Sequence, residues 1–106
     1  MTDPPLRLRY EEAVVALQAR VAAMRNNGVS SETIARTVHA KRRWLSATFK
    51  ALTPEPWRSR IHDRTLAVYG DCVGPTIERL RAQGKSWDDI IDSATRPGAR
   101  LSFDPP

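Results

Sequence analysis

One histidine and two arginines share a helical face in the stretch ARTVHAKRRWLSATF. His39, Arg42 and Arg43 stand at i, i+3 and i+4, with Lys41 beside them. Histidine titrates near neutral pH and can move a proton, and guanidinium forks match the oxygens of a phosphate. Metal-free RNA cleavage needs both abilities. One group must take the 2′-hydroxyl proton, another must protonate the leaving oxygen, and cations must face the charge that builds on the phosphate. On this reading His39 is the general acid or base, and Arg42 and Arg43 hold phosphate. Lys85 and Arg96 add cations from elsewhere in the chain, and Tyr69 and Asp71 orient or relay. A second reading makes the stretch a recognition helix of helix-turn-helix type, starting near Lys41 and aiming Arg42, Arg43 and Ser46 at base edges. A third leaves it a solvated face with no task and His39 an ordinary half-buried polar residue. TVHAKRR has no breaker where a helix-turn-helix needs its turn, which predicts one long helix here.

The composition bounds these readings. The chain has 106 residues, suited to one domain over 1–106, and 41% are hydrophobic, as in an ordinary folded protein. Its net charge is +5, carried by 14 arginines and only 3 lysines. A basic chain of pI 10.1 suits nucleic acid or an acidic protein partner. Cys72 is the single cysteine, so neither an internal disulfide nor a thiolate metal cluster is possible. His39 and His62 lie far apart, there is no HExxH, and no glycine-rich loop follows a strand. No metal and no cofactor is therefore expected, and Asp88, Asp89 and Asp92 read as first-turn and surface acids. No apolar run approaches the roughly 20 residues of a membrane span. The opening MTDPPLRLRYEE lacks an apolar signal core, so export, if any, needs another route.

The elements that must position these residues read as all-α, about five helices. Leu6, Tyr10, Ala13, Val14, Leu17, Val21 and Met24 form one amphipathic stripe that stops near Gly28. Ser30 caps a second helix carrying Ile34, Ala35, Val38, Leu45, Phe49 and Leu52. Its apolar stripe lapses between Val38 and Leu45, where the charged stretch lies. In LTPEPW, Thr53 reads as a cap and Pro54 as first-turn residue of a third helix running to about Tyr69. Trp57, Ile61, Thr65 or Leu66, and Val68 are its inward candidates. Arg58, Arg60 and Arg64 form an exposed basic face on it, a track for an RNA backbone. Trp44 and Trp57 read as core, and His62 as surface or partly packed. GDCVGP is a loop, Pro75 opens a short fourth helix ending at Gly84, and Ser86 caps a fifth with Asp88 and Asp89 in its first turn. Pro97 and Gly98 end that helix. Residues 99–106 read as an irregular tail, lightly docked through Phe103.

From Ile34 to Gly98 the chain resembles a domain at the extreme C-termini of large exported bacterial proteins. These are the polymorphic toxins of the contact-dependent inhibition, filamentous-haemagglutinin-like and rearrangement-hotspot types. HAKRR, LTPE, YGD.VGPTIERLR..GKSWDDII and SATRPG carry the resemblance. The matching positions are His39, Arg42 and Arg43; Tyr69, Gly70, Asp71, Gly74, Pro75 and Thr76; and Gly84, Lys85, Ser86, Trp87, Ser93, Thr95 and Arg96. Cys72 departs from it, standing where the pattern has proline, and GARLSF is a loose version of its ending. Gly70, Gly74, Pro75, Gly84 and Ser86 also have a plain use as helix stops, starts and caps.

The resemblance implies a small cytotoxic domain paired with a dedicated immunity protein, many such domains being nucleases that attack tRNA or other RNA. The leading expectation is a metal-independent ribonuclease acting on tRNA or another structured RNA. Its catalytic candidates are His39, Arg43, Lys85, Arg96, Tyr69, Asp71 and Thr95. Lys41, Arg42, Arg58, Arg60, Arg64 and Trp87 are its substrate-binding candidates. An acidic immunity protein would cover the basic site, the free chain being a monomer. Such a domain is made in the bacterial cytoplasm, exported by a specialised route, and acts in the cytoplasm of a target cell. The alternative is a non-enzymatic helix-turn-helix-like module that binds DNA or RNA.

Overall fold

The computed structural model describes residues 5–97, so Gly98, Phe103 and the tail 99–106 lie outside the described residues. Five helices and no strand appear among them: α1 Leu6–Asn26, α2 Ser31–Leu52, α3 Trp57–Tyr69, α4 Ile77–Ala82 and α5 Trp87–Ala94. The all-α expectation is met. Among the described residues no helix is long and apolar enough to cross a membrane.

The long α2 is the axis on which the rest is assembled. Ser30 caps it, its Oγ accepting from the Thr33 N–H at 3.2 Å. It runs unbroken through His39–Lys41, so the turn that a helix-turn-helix requires is missing there. Near its N-terminus Ile34, Ala35 and Val38 pack with Val21 of α1 and with Ile90, Ile91 and Ala94 of α5. Nearer its C-terminus Leu45 packs with Val14 and Leu17 of α1. Ile34, Ile90, Val14 and Val38 are fully buried, each contributing about 1.5–3 kcal/mol by leaving water. The α1 and α2 stripes thus form as their spacing predicts, except that Leu52, in the last residue of α2, is 59% exposed.

The third helix starts later than LTPEPW predicts. Each proline disfavours the helical region for the residue before it, here Thr53 and Glu55. Thr53 instead closes α2, its hydroxyl donating to the Phe49 carbonyl at 2.8 Å. Glu55 supplies the acceptor at the head of α3, taking the Ser59 N–H at 3.3 Å and the Ser59 hydroxyl at 2.8 Å. No residue of α3 is fully buried. Trp57, Ile61, His62 and Thr65 are half-buried. Leu66 follows Thr65 by about 100° around the helix and turns outward. Val68 sits in the last turn, just before the chain leaves at Gly70. Both are nearly half exposed, so of the pair Thr65 or Leu66 it is Thr65 that turns inward, and Val68 goes against its expectation. Trp44 is also 56% exposed, since it faces neither the α1–α5 side of α2 nor the side that carries the loop before α4.

That loop follows Gly70, which takes the left-handed conformation at φ 69° and donates its N–H to the Leu66 carbonyl at 2.8 Å. The fourth helix begins one step later than expected. Thr76, not Pro75, caps it, its Oγ1 accepting from the Arg79 N–H at 3.1 Å. Pro75 stays outside the helix, and its carbonyl serves another purpose. Ser86 caps α5 as GKSWDD predicts, and Asp89 completes a reciprocal capping box with it.

Candidate functional site

His39, Arg43 and Lys50 lie on one side of α2, spaced at i, i+4 and i+11, and all three reach the 71–75 loop. Lys50 Nζ donates to the Cys72 carbonyl at 2.7 Å. Arg43 Nη1 donates to the Gly74 carbonyl at 2.9 Å, and its Nη2 meets Asp71 Oδ1 at 3.1 Å. His39 Nε2 lies 2.8 Å from the Pro75 carbonyl oxygen. The loop therefore runs along α2 with its carbonyls turned to a row of cationic and imidazole donors. The contact at Cys72 uses the backbone, so it does not depend on which side chain stands there.

The partner assigns the tautomer of His39. A carbonyl can only accept, so Nε2 carries the hydrogen and, in the neutral ring, Nδ1 keeps a lone pair. Among the described residues Nδ1 has no hydrogen-bond partner, and no fully buried side-chain nitrogen or oxygen lacks one. Nδ1 therefore meets solvent although the residue is only 7% exposed. Burial is the largest influence on this ring and holds its pKa below the usual 6.5. The Pro75 carbonyl opposes that shift, and the Arg43 charge adds to it. His39 is thus kept neutral at pH 7, the form that accepts a proton. It opens on a shallow groove of about 340 Å³, lined also by Arg36, Ala40, Arg43, Thr76, Ile77 and Glu78.

Asp71 is drawn into the same arrangement as an anchor. Its Oδ1 also accepts the Val73 N–H at 2.9 Å. That bond, followed by the charge of Arg43, holds the carboxyl below the usual carboxylate range.

Arg42 goes the other way. Its Nη1 donates to the carbonyls of Arg96 at 2.8 Å and of Ser93 and Ala94 at 3.2 Å each, closing the end of α5. Its Nε donates to the Tyr10 hydroxyl at 2.9 Å, and that hydroxyl pairs with Ser46 at 2.9 Å. The lapse in the α2 apolar stripe is thus where α5 ends and needs donors. Arg42, Arg43 and Ser46, which a helix-turn-helix would aim at bases, are all bonded within the fold.

The remaining candidates divide. Tyr69 is exposed at the end of α3. Thr95 is buried, its hydroxyl donating to the Ile91 carbonyl at 3.0 Å and its own carbonyl accepting from Gln18. Lys85 and Arg96 line a separate cleft with Asp89, Asp92 and Ser93, and Arg96 pairs with Asp92. Lys41 lies over the Trp44 ring at 4.4 Å, and Arg60 over Trp57 at 5.1 Å. Arg58 pairs with Glu55 at 3.1 Å, and Arg64 is exposed. Trp87 is half-buried beneath Arg36 and Arg81. The structure therefore brings together His39, Arg43 and Asp71, puts Thr95 and Arg96 at the end of α5, and leaves Lys85 just before its start. Sequence reasoning missed Arg36 and Lys50, although the three-residue step from Arg36 to His39 and the seven-residue step from Arg43 to Lys50 place both on the His39 face. The paired loop carbonyls carry no side-chain signal.

No protein-family model matches the chain, and no curated protein or solved structure is significantly similar to it.

Proposed function

We propose that this chain is a ribonuclease that needs no metal, with His39 as its proton carrier. The observation that carries the reading is the posture of His39. Nε2 is tied to the Pro75 carbonyl, which leaves Nδ1 without a partner among the described residues, and the residue lines a groove that Arg36 and Arg43 also line. Nδ1 takes the proton of an RNA 2′-hydroxyl, and the 2′-oxygen attacks the adjacent phosphorus. The bond to the 5′-oxygen breaks, leaving a 2′,3′-cyclic phosphate. The imidazolium returns its proton to the departing oxygen. Arg43, held at the groove wall by Asp71 and Gly74, contributes positive charge beside the phosphate. The toxin-like motifs and the net charge of +5 support an RNA substrate, tRNA foremost, and an acidic immunity protein as the covering partner.

The test is incubation of the protein with total bacterial RNA in EDTA, beside His39→Gln. Glutamine can keep a donor near the Pro75 carbonyl but cannot accept a proton as imidazole does. Discrete fragments ending in cyclic phosphate, absent with a folded His39→Gln, are the expected result. Intact RNA with the parent, or equal cleavage by the variant, would overturn the reading.

A further inference from the structure

We infer that Arg36 and Arg81, held over Trp87, form a second phosphate subsite beside the His39 groove, suited to a flanking phosphodiester of single-stranded RNA. This rests on the ribonuclease reading only for its place next to a scissile bond. Three helices contribute. Arg36 of α2 precedes His39 by three residues and lines the same groove. Its guanidinium carbon lies 5.0 Å from the centre of the Trp87 ring, and that of Arg81 of α4 lies 4.1 Å from it. Trp87 starts α5 and packs against the Val21–Ile34–Ile90 cluster, so the ring is a fixed platform.

Stacking engages the flat face of a guanidinium and leaves its in-plane N–H groups for an anion. Arg36 spends Nε on Glu32 at 3.0 Å, and its Nη1 and Nη2 have no hydrogen-bond partner among the described residues. Arg81 gives Nη1 to the Lys85 carbonyl at 3.0 Å and keeps Nε and Nη2. Among the described residues Arg81 has no carboxylate partner, so Glu32 offsets only one of the two charges. Glu78, on the groove wall, disfavours anions on its own side and leaves the Trp87 side as the better track. Single-stranded RNA fits this arrangement because its backbone can bend to place successive phosphates in a groove and on a neighbouring platform.

The experiment measures binding of a labelled single-stranded oligodeoxynucleotide, which lacks the 2′-hydroxyl and cannot be cleaved by this route. It is titrated across salt concentrations against the parent and the Arg36→Gln/Arg81→Gln double variant. The expected result is weaker binding by the variant and a log–log salt slope reduced by about 0.7 for one lost single-strand phosphate contact. On RNA, KM rises. Trp87→Phe keeps a ring under both guanidiniums and retains most of the binding, whereas the double variant retains its circular dichroism. Unchanged affinity and slope in the double variant, or no binding by the parent, overturn the subsite. Equal affinity for a duplex overturns the single-strand assignment. Binding that depends on both arginines, with no RNA cleavage by the parent, upholds the subsite and sinks the His39 reading instead.

Discussion

His39 and Arg43, one helical turn apart, close on consecutive carbonyls of one loop: Pro75 at 2.8 Å and Gly74 at 2.9 Å. HAKRR and YGDCVGP are therefore two halves of one contact. The histidine is an anchor through Nε2, and its Nδ1 is left without a partner among the described residues. Its neighbour Arg42 serves α5 instead, so adjacent arginines hold different parts of the molecule in place.

The first prediction concerns pH. Burial holds His39 below its ordinary pKa, so between that lowered value and 6.5 the unfolded chain binds more protons than the folded one. Stability then rises with pH across this window. The contribution is fully present above 6.5 and is lost as pH falls through the folded value. Urea midpoints measured from pH 7.5 down to about pH 5 should fall for the parent, with a smaller fall for His39→Gln. Parallel curves would remove His39 as the cause.

Arg43→Ala should destabilise by about 1–3 kcal/mol, because it strips donors from the Gly74 carbonyl and from Asp71. Arg43→Lys should recover little of this, since one ammonium cannot span a carbonyl and a carboxylate as the planar fork does. Chemical denaturation of the two variants is the check.

Arg42→Met should loosen a different place. It removes the donor to the Ser93, Ala94 and Arg96 carbonyls while keeping the bulk of the side chain. Amide exchange should quicken in α5 and at Thr95 while the 71–75 loop keeps its protection. The reverse pattern would refute the division between the two arginines.

Ile90→Ala should cost about 2–5 kcal/mol, since its side chain is fully buried between α1, α2 and α5. Leu66→Ala, on the exposed side of α3, should fall within about 0.5 kcal/mol of the parent. Thermal melts of both variants test the contrast between the buried α1–α2–α5 core and the exposed side of α3.

Much of the architecture was already present in local patterns. The stripes of α1 and α2, the Ser30 and Ser86 caps, and the stops at Gly28 and Gly70 depend on interactions within a few residues, which a linear pattern records. The unbroken α2 followed from the absence of a breaker in TVHAKRR. The start of α3 was misplaced because two prolines compete for the same turn. Val68 was misjudged, and the choice between Thr65 and Leu66 stayed open, because apolar character does not say whether a neighbouring helix is within reach. The side-chain types at His39, Arg42 and Arg43 signalled chemistry, but not what each would touch. Only the tertiary structure decided that, because their partners are backbone carbonyls at positions 74, 75, 93, 94 and 96. Every residue carries such a carbonyl, so no residue type betrays which ones will be left without a helical partner and turned toward α2.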